Sequence, residues 1–248
     1  MGSKKMNESC KNRVYENYIS THFGIIRNME KDFETYYHYY RKNYSRFLPA
    51  GKNTRILDLG CGMGHFLYYL YKDGYKNCLG LDISNENINY CRTKGFNVVH
   101  NNIFNFLESN TEPFDVIIMN DVIEHLNREE IMRVLDLINK NLTEGGGTVV
   151  IKAPNSSNPI LANSTRYYDF THEISFTEES LSQVLKVCGF KYIKIYPQNI
   201  YIYYLNPINY IAKFISMMLN SSFRLIYILY GRKTTKIFTK DIIAVAKK

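Results

Sequence analysis

Two of the six histidines occupy positions suited to moving protons. His125 stands in IEHL, directly after an apolar run that reads as a strand, and His172 lies in the later segment NSSNPILANSTRYYDFTHEISFTEESL. An imidazole titrates near neutrality, so either ring can act as a general base toward a weakly acidic hydroxyl. The His172 segment also holds Asn155, Arg166, Tyr167, Asp169 and Glu173, with little apolar periodicity to explain them as packing. A local hydrogen-bonding role is the competing reading for His125, and a salt-bridged loop that merely closes a pocket is the one for Asp169 and His172. Thr177, Glu178 and Glu179 have a structural explanation instead, with Thr177 as N-cap, Ser180 at N3 and two acids at the helix's positive end. His65 reads as a helix-start or cofactor-edge residue, and His22, His38 and His100 have weaker claims.

A second constellation is built for binding. In RILDLGCGMGHFLYYL, Gly60, Gly62 and Gly64 follow an apolar run and precede a helical one, and their missing side chains allow a cofactor to approach the backbone. Asp58 can organise that loop or accept a hydrogen bond. Asp82, in LGLDIS, can accept both hydroxyls of a ribose with its two oxygens, the plainer alternative being a cap for the next helix. A glycine turn alone is weak, because several chemistries reuse it. Here the third glycine is Gly64 and not one residue later, which departs from the GxGxxG dinucleotide fingerprint, and no GKS or GKT phosphate loop occurs.

The elements needed to hold these residues follow from the alternation of short apolar runs with longer amphipathic ones. Strands are expected at Arg55 to Leu59, Cys78 to Asp82, Asn97 to His100, Phe114 to Met119, Gly147 to Lys152, Lys191 to Tyr196 and Asp241 to Ala246. Helices are expected at His65 to Lys72, Asn85 to Lys94, Arg128 to Asn141 and Glu178 to Val187. The fold class is α/β: a doubly wound, mostly parallel seven-stranded sheet, which binds ligands beyond the carboxyl ends of its strands. An N-terminal helical cap covers 1–50, the core 51–198, an apolar helical insertion 199–239 and the final strand 240–248. In the cap, Tyr36, Tyr37, Tyr40 and Tyr44 share helical faces and pack on the core by default; Tyr40 or Arg41 can also close over a ligand.

The Ile208 to Tyr230 part of the insertion is nearly all apolar or aromatic but is broken by Lys213, Asn220, Ser221, Ser222 and Arg224. These interruptions favour helices packed on the core, on a second copy as a homodimer, or against a membrane surface, over a membrane span. The formal charge of +8 is compatible with an acidic small-molecule partner, but it is not gathered into a basic arm, so a nucleic-acid partner is not expected. Tyrosine is abundant, 22 residues, with clusters near Tyr36 to Tyr44 and Tyr201 to Tyr204 that can line a polar pocket. The five cysteines, Cys10, Cys61, Cys78, Cys91 and Cys188, form no metal-ligand spacing, so no metal is expected. An odd count argues against a disulfide framework, and the opening MGSKKMNESCKNR lacks the apolar stretch of a secretory signal, so a cytoplasmic location is expected.

Taken in order, ILDLGCGMG, LDIS and FDVIIMNDVIEHL resemble the class I S-adenosylmethionine-dependent methyltransferases, in their small-molecule branch. The resemblance spans roughly Arg55 to Lys152. It implies that Asp58, Gly60, Cys61, Gly62 and Gly64 form the loop at the methionine end of S-adenosylmethionine. It also implies that Asp82 binds the ribose with Ile83 beside the adenine. The acid that often meets the adenine amino group is replaced by Asn102, followed by Ile103; the amide oxygen of Asn102 can accept the same bond. Asn120 and Asp121 are implied on the pocket floor, with Glu124 and His125 at the start of the next element. The run RYYDFTHEISFTEESL is similar to methyltransferases associated with bacterial surface polysaccharides, antibiotics and other glycans. That likeness implies an acceptor loop in which His172 is the general base, Asp169 its orienting acid or a hydroxyl partner, and Arg166, Tyr167 and Asn155 acceptor contacts.

The expected reaction is methyl transfer to a hydroxyl of a carbohydrate-like or capsule-related intermediate. No metal is chemically required for it. Small-molecule N-methylation and quinone or lipid O-methylation at the membrane surface stand as alternatives, and a cofactor-binding protein without catalysis as a non-enzymatic one. The absence of NPPY or DPPY lowers the case for base methylation in nucleic acid.

Overall fold

A computed structural model of the 248-residue chain describes residue 14, residues 29–200 and residues 205–248. His22, Cys10 and the Tyr201 to Tyr204 cluster lie outside the described residues. Among the described residues, helix α1 (Met29–Tyr44) leads into the sheet. The core then runs β1 (Ile56–Leu59), α2 (His65–Lys72), β2 (Cys78–Asp82), α3 (Asn85–Thr93), β3 (Val98–His100), α4 (Ile103–Ser109), β4 (Val116–Asn120) and α5 (Arg128–Asn141). It continues with β5 (Thr148–Pro154), α6 (Ala162–Tyr167), α7 (Glu178–Val187), β6 (Lys191–Pro197), α8 (Ile208–Leu229) and β7 (Asp241–Lys247). The strands form one seven-stranded sheet in the order β3-β2-β1-β4-β5-β7-β6, parallel except where β7 runs antiparallel to β5 and β6.

β1 is buried along its whole length and β4 in all but its last residue, as expected of central strands covered by helices on both faces. The chain moves outward from β1 to β3 and then returns to β4 on the other side of β1. This reversal opens a crevice at the carboxyl ends of β1 and β4. Side-chain caps set the helix starts around that crevice. Asn127 accepts from the Glu129 and Glu130 N–H groups while Glu130 reaches back to the Asn127 N–H, a full capping box for α5. Thr177 and Ser180 make the equivalent reciprocal pair at α7.

The expected strands are all present, with ends shifted by one or two residues. Two helices were not expected. α4 has seven residues and α6 six, too short to print a helical period on the sequence. In α1, Tyr37 and Tyr44 are buried and Tyr40 packs against the same cluster, so this helix face is a wall of the core. Arg41 reaches Asp73 at 3.8 Å instead of closing over the crevice.

α8 departs from the expectation that the apolar insertion packs on the core. It has no buried residue, and Ile211, Phe214 and Met218 are each more than half exposed. Its described attachments are the Phe223 and Tyr227 rings against Phe238 and a 3.1 Å hydrogen bond from the Tyr227 hydroxyl to the Ser157 carbonyl. Among the described residues no helix is long and apolar enough to cross a membrane.

Candidate active site

The glycine loop leaves β1 with three left-handed residues, Gly60 (φ 72), Gly62 (φ 52) and Gly64 (φ 80). At Gly60 a Cβ would lie 2.4 Å from Cγ2 of Val122, so any side chain would push the loop off the β4 exit. Gly62 is different: a Cβ there would meet nothing within 4 Å, and its N–H donates to Asp82 Oδ2 at 2.8 Å. The loop backbone is thus bare on one side and tied to the β2 acid on the other. Cys61 is buried; its sulfur faces β2, where a Cβ on Gly80 would come within 2.9 Å of it. Cys61 can serve a ligand only through its backbone.

Asp82 ends β2, and its Oδ1 accepts from the Ser84 N–H at 2.8 Å and the Asn87 amide at 3.2 Å. Burial raises its pKa, and the hydrogen bonds from Ser84, Gly62 and Asn87 pull it back toward the ionised form. Oδ1 thus takes two donors and Oδ2 one, which leaves acceptor capacity on Oδ2 for a further donor. Ile83 follows, partly exposed, with its carbonyl accepting from His100 Nε2 at 2.8 Å. Asn102 is the N-cap of α4, its amide oxygen accepting from the Phe104 N–H at 2.8 Å; this local role is added to the ligand contact expected of it. Ile103 opens that helix and packs against the core. Across the crevice, the Tyr44 hydroxyl donates to Asn120 Oδ1 at 2.5 Å, while the buried Asn120 amide nitrogen has no hydrogen-bond partner. Asp121 has φ 54 and pairs with Lys152, and the Tyr40 ring packs among Tyr44, Phe66 and Tyr69.

Asp58 lies beneath the loop, 1% exposed, with Oδ2 lacking a hydrogen-bond partner. Burial, and then the charge of Asp82, pushes its pKa up to about 8. A carboxyl raised in the folded state stabilises that state only while it stays protonated. Its contribution is complete below the ordinary value of 3.8 and is lost as the pH climbs from there to about 8. Asp58→Asn cannot ionise. The wild type is therefore expected to lose stability between pH 5 and pH 8 with a slope of up to about 1.4 kcal/mol per pH unit that the variant lacks. Thermal melts of both proteins across that range measure the difference.

The histidines meet at the crevice mouth. His125 ends a short 3-10 turn after β4, and its ring lies 4.7 Å from that of His172, centroid to centroid, at 69°. His125 Nδ1 is 2.7 Å from Thr171 Oγ1, and that hydroxyl donates to Asp169 Oδ1 at 2.6 Å. A threonine hydroxyl has one proton, so once it is given to the carboxylate the oxygen accepts from His125 Nδ1–H. His172 Nδ1 is 2.8 Å from the Thr165 carbonyl, which can only accept. Both neutral rings therefore carry their lone pair on Nε2.

This geometry redistributes the roles expected from the sequence. Asp169 orients His125 through Thr171, not His172. Arg166 donates to the His172 carbonyl and, at 2.8 Å, to the Glu173 carbonyl, so its guanidinium also clamps the loop. Asn155 is also corrected: it is 1% exposed, and its amide is spent on the Ile237 and Thr239 carbonyls and the Ser157 N–H. Tyr167 is 77% exposed. Thr171 was missed, because a lone hydroxyl two residues after an acid reads as a local turn. Glu124 was named only for its place in the motif. It is 1% exposed, neither oxygen has a hydrogen-bond partner, and burial together with Asp121 raises its pKa well above the carboxylate range.

A family model described as methyltransferase domain matches residues 33–195. The chain belongs to this family. It is a methyltransferase of class I fold, and S-adenosylmethionine, the methyl donor of that class, is its cofactor. The open backbone at Gly62 and the unpartnered amide nitrogen of Asn120 fit such a ligand. Comparison with curated proteins gives no match. Among solved structures, a SAM-dependent methyltransferase from Archaeoglobus fulgidus is similar at 24% identity and a TM-score of 0.64, over 92% of this chain and 100% of that one. A possible histamine N-methyltransferase from Thermotoga maritima is similar at 15% identity and a TM-score of 0.62, over 95% and 99%. The 1,6-didemethyltoxoflavin-N1-methyltransferase of Burkholderia thailandensis follows at 14% and 0.59, over 100% and 93%. At these identities the structures establish the fold.

Proposed function

We propose that this methyltransferase acts on a hydroxyl of a small carbohydrate-like acceptor, of the nucleotide-linked, phosphorylated or capsule-related kind. The observation that carries the reading is the hydrogen-bond direction at His125: with Nδ1–H committed to Thr171 and through it to Asp169, Nε2 is a base. An alcohol needs such a base in order to attack, whereas a neutral amine does not. When bound, the cofactor supplies a methyl carbon on a positively charged sulfur, which leaves with the electron pair of the C–S bond. His125 Nε2 takes the hydroxyl proton, and the buried Asp169 steadies the resulting imidazolium through Thr171.

The surroundings support a polar acceptor. A cleft of about 370 Å³ beside the loop that carries His172 is lined by Arg128, Ser156, Asn163, Arg166, Glu173 and Ser175. Hydroxyl, amide and guanidinium groups suit sugar hydroxyls, and Arg128 suits a phosphate. Nitrogen methylation of a small metabolite is the second reading, since the Thermotoga and Burkholderia neighbours are described as N-methyltransferases. Incubation with methyl-labelled S-adenosylmethionine and a panel of nucleotide sugars, sugar phosphates, small amines, RNA and lipids tests both readings. Label on a sugar hydroxyl is the expected result. Label confined to amines would favour the second reading, and label confined to RNA, protein or lipid would sink both.

A further inference from the structure

We propose that Glu124, His125 and His172 form a binding site for one divalent transition-metal ion at the crevice mouth. One ligand atom from each residue lies within 4.8 Å of the other two. Bonds of about 2.0–2.2 Å to one ion require a contraction of roughly 1 Å from that spread, within reach of side-chain rotation.

Three features of the cluster have a common explanation in a cation. The Glu124 carboxyl is buried with neither oxygen hydrogen-bonded, an arrangement that is costly unless something else satisfies it. Both histidines anchor Nδ1–H, one on the Thr165 carbonyl and the other on the Thr171 hydroxyl backed by Asp169, so both present Nε2. That is the outer-shell arrangement metal-bound histidines adopt: the second ring N–H held by a carbonyl or a carboxylate system fixes tautomer and orientation. The rings also converge, at 4.7 Å between centroids.

The donor set selects the ion. Two imidazole nitrogens and one carboxylate suit Zn²⁺, Co²⁺, Mn²⁺ or Fe²⁺ over Ca²⁺ or Mg²⁺, which prefer all-oxygen shells. Three protein ligands leave coordination positions open, the mark of a catalytic site. The sequence carried no sign of the site, because its ligands come from the β4 exit and from the distant loop before α7, and the cysteines are not among them. The use of the ion rests on the proposed function. With the ion bound, an acceptor hydroxyl in an open position becomes more acidic and loses its proton to solvent; in the metal-free protein His125 Nε2 takes that proton itself.

Full-length protein stripped with a chelator and titrated with Co²⁺ is expected to bind one equivalent, with visible absorption bands of a nitrogen-ligated Co²⁺ that Zn²⁺ displaces. Glu124→Gln and His172→Gln are each expected to weaken Co²⁺ binding at least about 10-fold while binding of S-adenosylhomocysteine and the far-ultraviolet spectrum stay unchanged. Wild-type protein that takes up no Co²⁺ or Zn²⁺ would overturn the site without recourse to any variant, and so would equally tight binding by folded variants. Sugar methylation that persists in metal-free protein which binds no Co²⁺ would remove the metal and leave the acceptor assignment standing. Stoichiometric Co²⁺ binding with no sugar turnover would do the reverse.

Discussion

Asp82→Ala is expected to weaken binding of S-adenosylhomocysteine by about 100-fold to 1,000-fold, which is roughly 2.7–4 kcal/mol. Two contributions add. In the binding mode expected from the sequence the carboxylate accepts from the ribose, and hydrogen bonds to a charged group are worth about 1.5–3 kcal/mol each. It also holds the loop: its oxygens accept from the Gly62 N–H and the Ser84 N–H, both at 2.8 Å, so its removal frees the open glycine from β2 as well. Asp82→Asn disturbs both contributions at once. The amide keeps one acceptor oxygen but places a donor against an N–H, so it should lose nearly as much affinity as alanine. Calorimetric titration measures both variants, and wild-type affinity in Asp82→Ala would show that neither contribution carries cofactor binding.

The placement of the candidate binding residues was legible in the sequence for a physical reason. A glycine turn and a strand-terminal acid act through backbone and position, and both are set by local chain order. Gly60, Gly62, Gly64, Asp82 and Asn120 therefore fall where strand ends put them, once the alternation of strands and helices is read. The catalytic half depends on which side chains from distant segments meet. Asp169 was paired with His172, three residues away, whereas the fold carries its carboxylate to His125 through a hydroxyl. Asn155 and Arg166 were selected as polar residues in a loop without periodicity. That loop needs its own backbone partners, and these two side chains supply them. α8 was recognised as apolar and helical from its composition, but composition has no term for what lies opposite a helix.

His125→Ala is expected to lower kcat by about 100-fold to 10,000-fold, the range of a lost general base, with the affinity for S-adenosylhomocysteine held within about 2-fold of wild type. The separation is expected because the His125 ring is held by Thr171 and faces His172 at the crevice mouth. Thr171→Val tests how the base is held. It is nearly isosteric, keeps the chain buried, and removes both the acceptor for His125 Nδ1–H and the link to Asp169. Without that link the imidazole can protonate at Nε2 instead, and the imidazolium loses its carboxylate partner. A loss of about 10-fold to 100-fold in kcat is expected. Thr171→Ser restores the hydroxyl and should return kcat to within about 3-fold of wild type, a rescue that loss of packing alone would not produce. The three variants together distinguish a proton-handling relay from a loop that merely closes over the acceptor, since only the relay ranks alanine at His125 below valine at Thr171 and restores activity with serine.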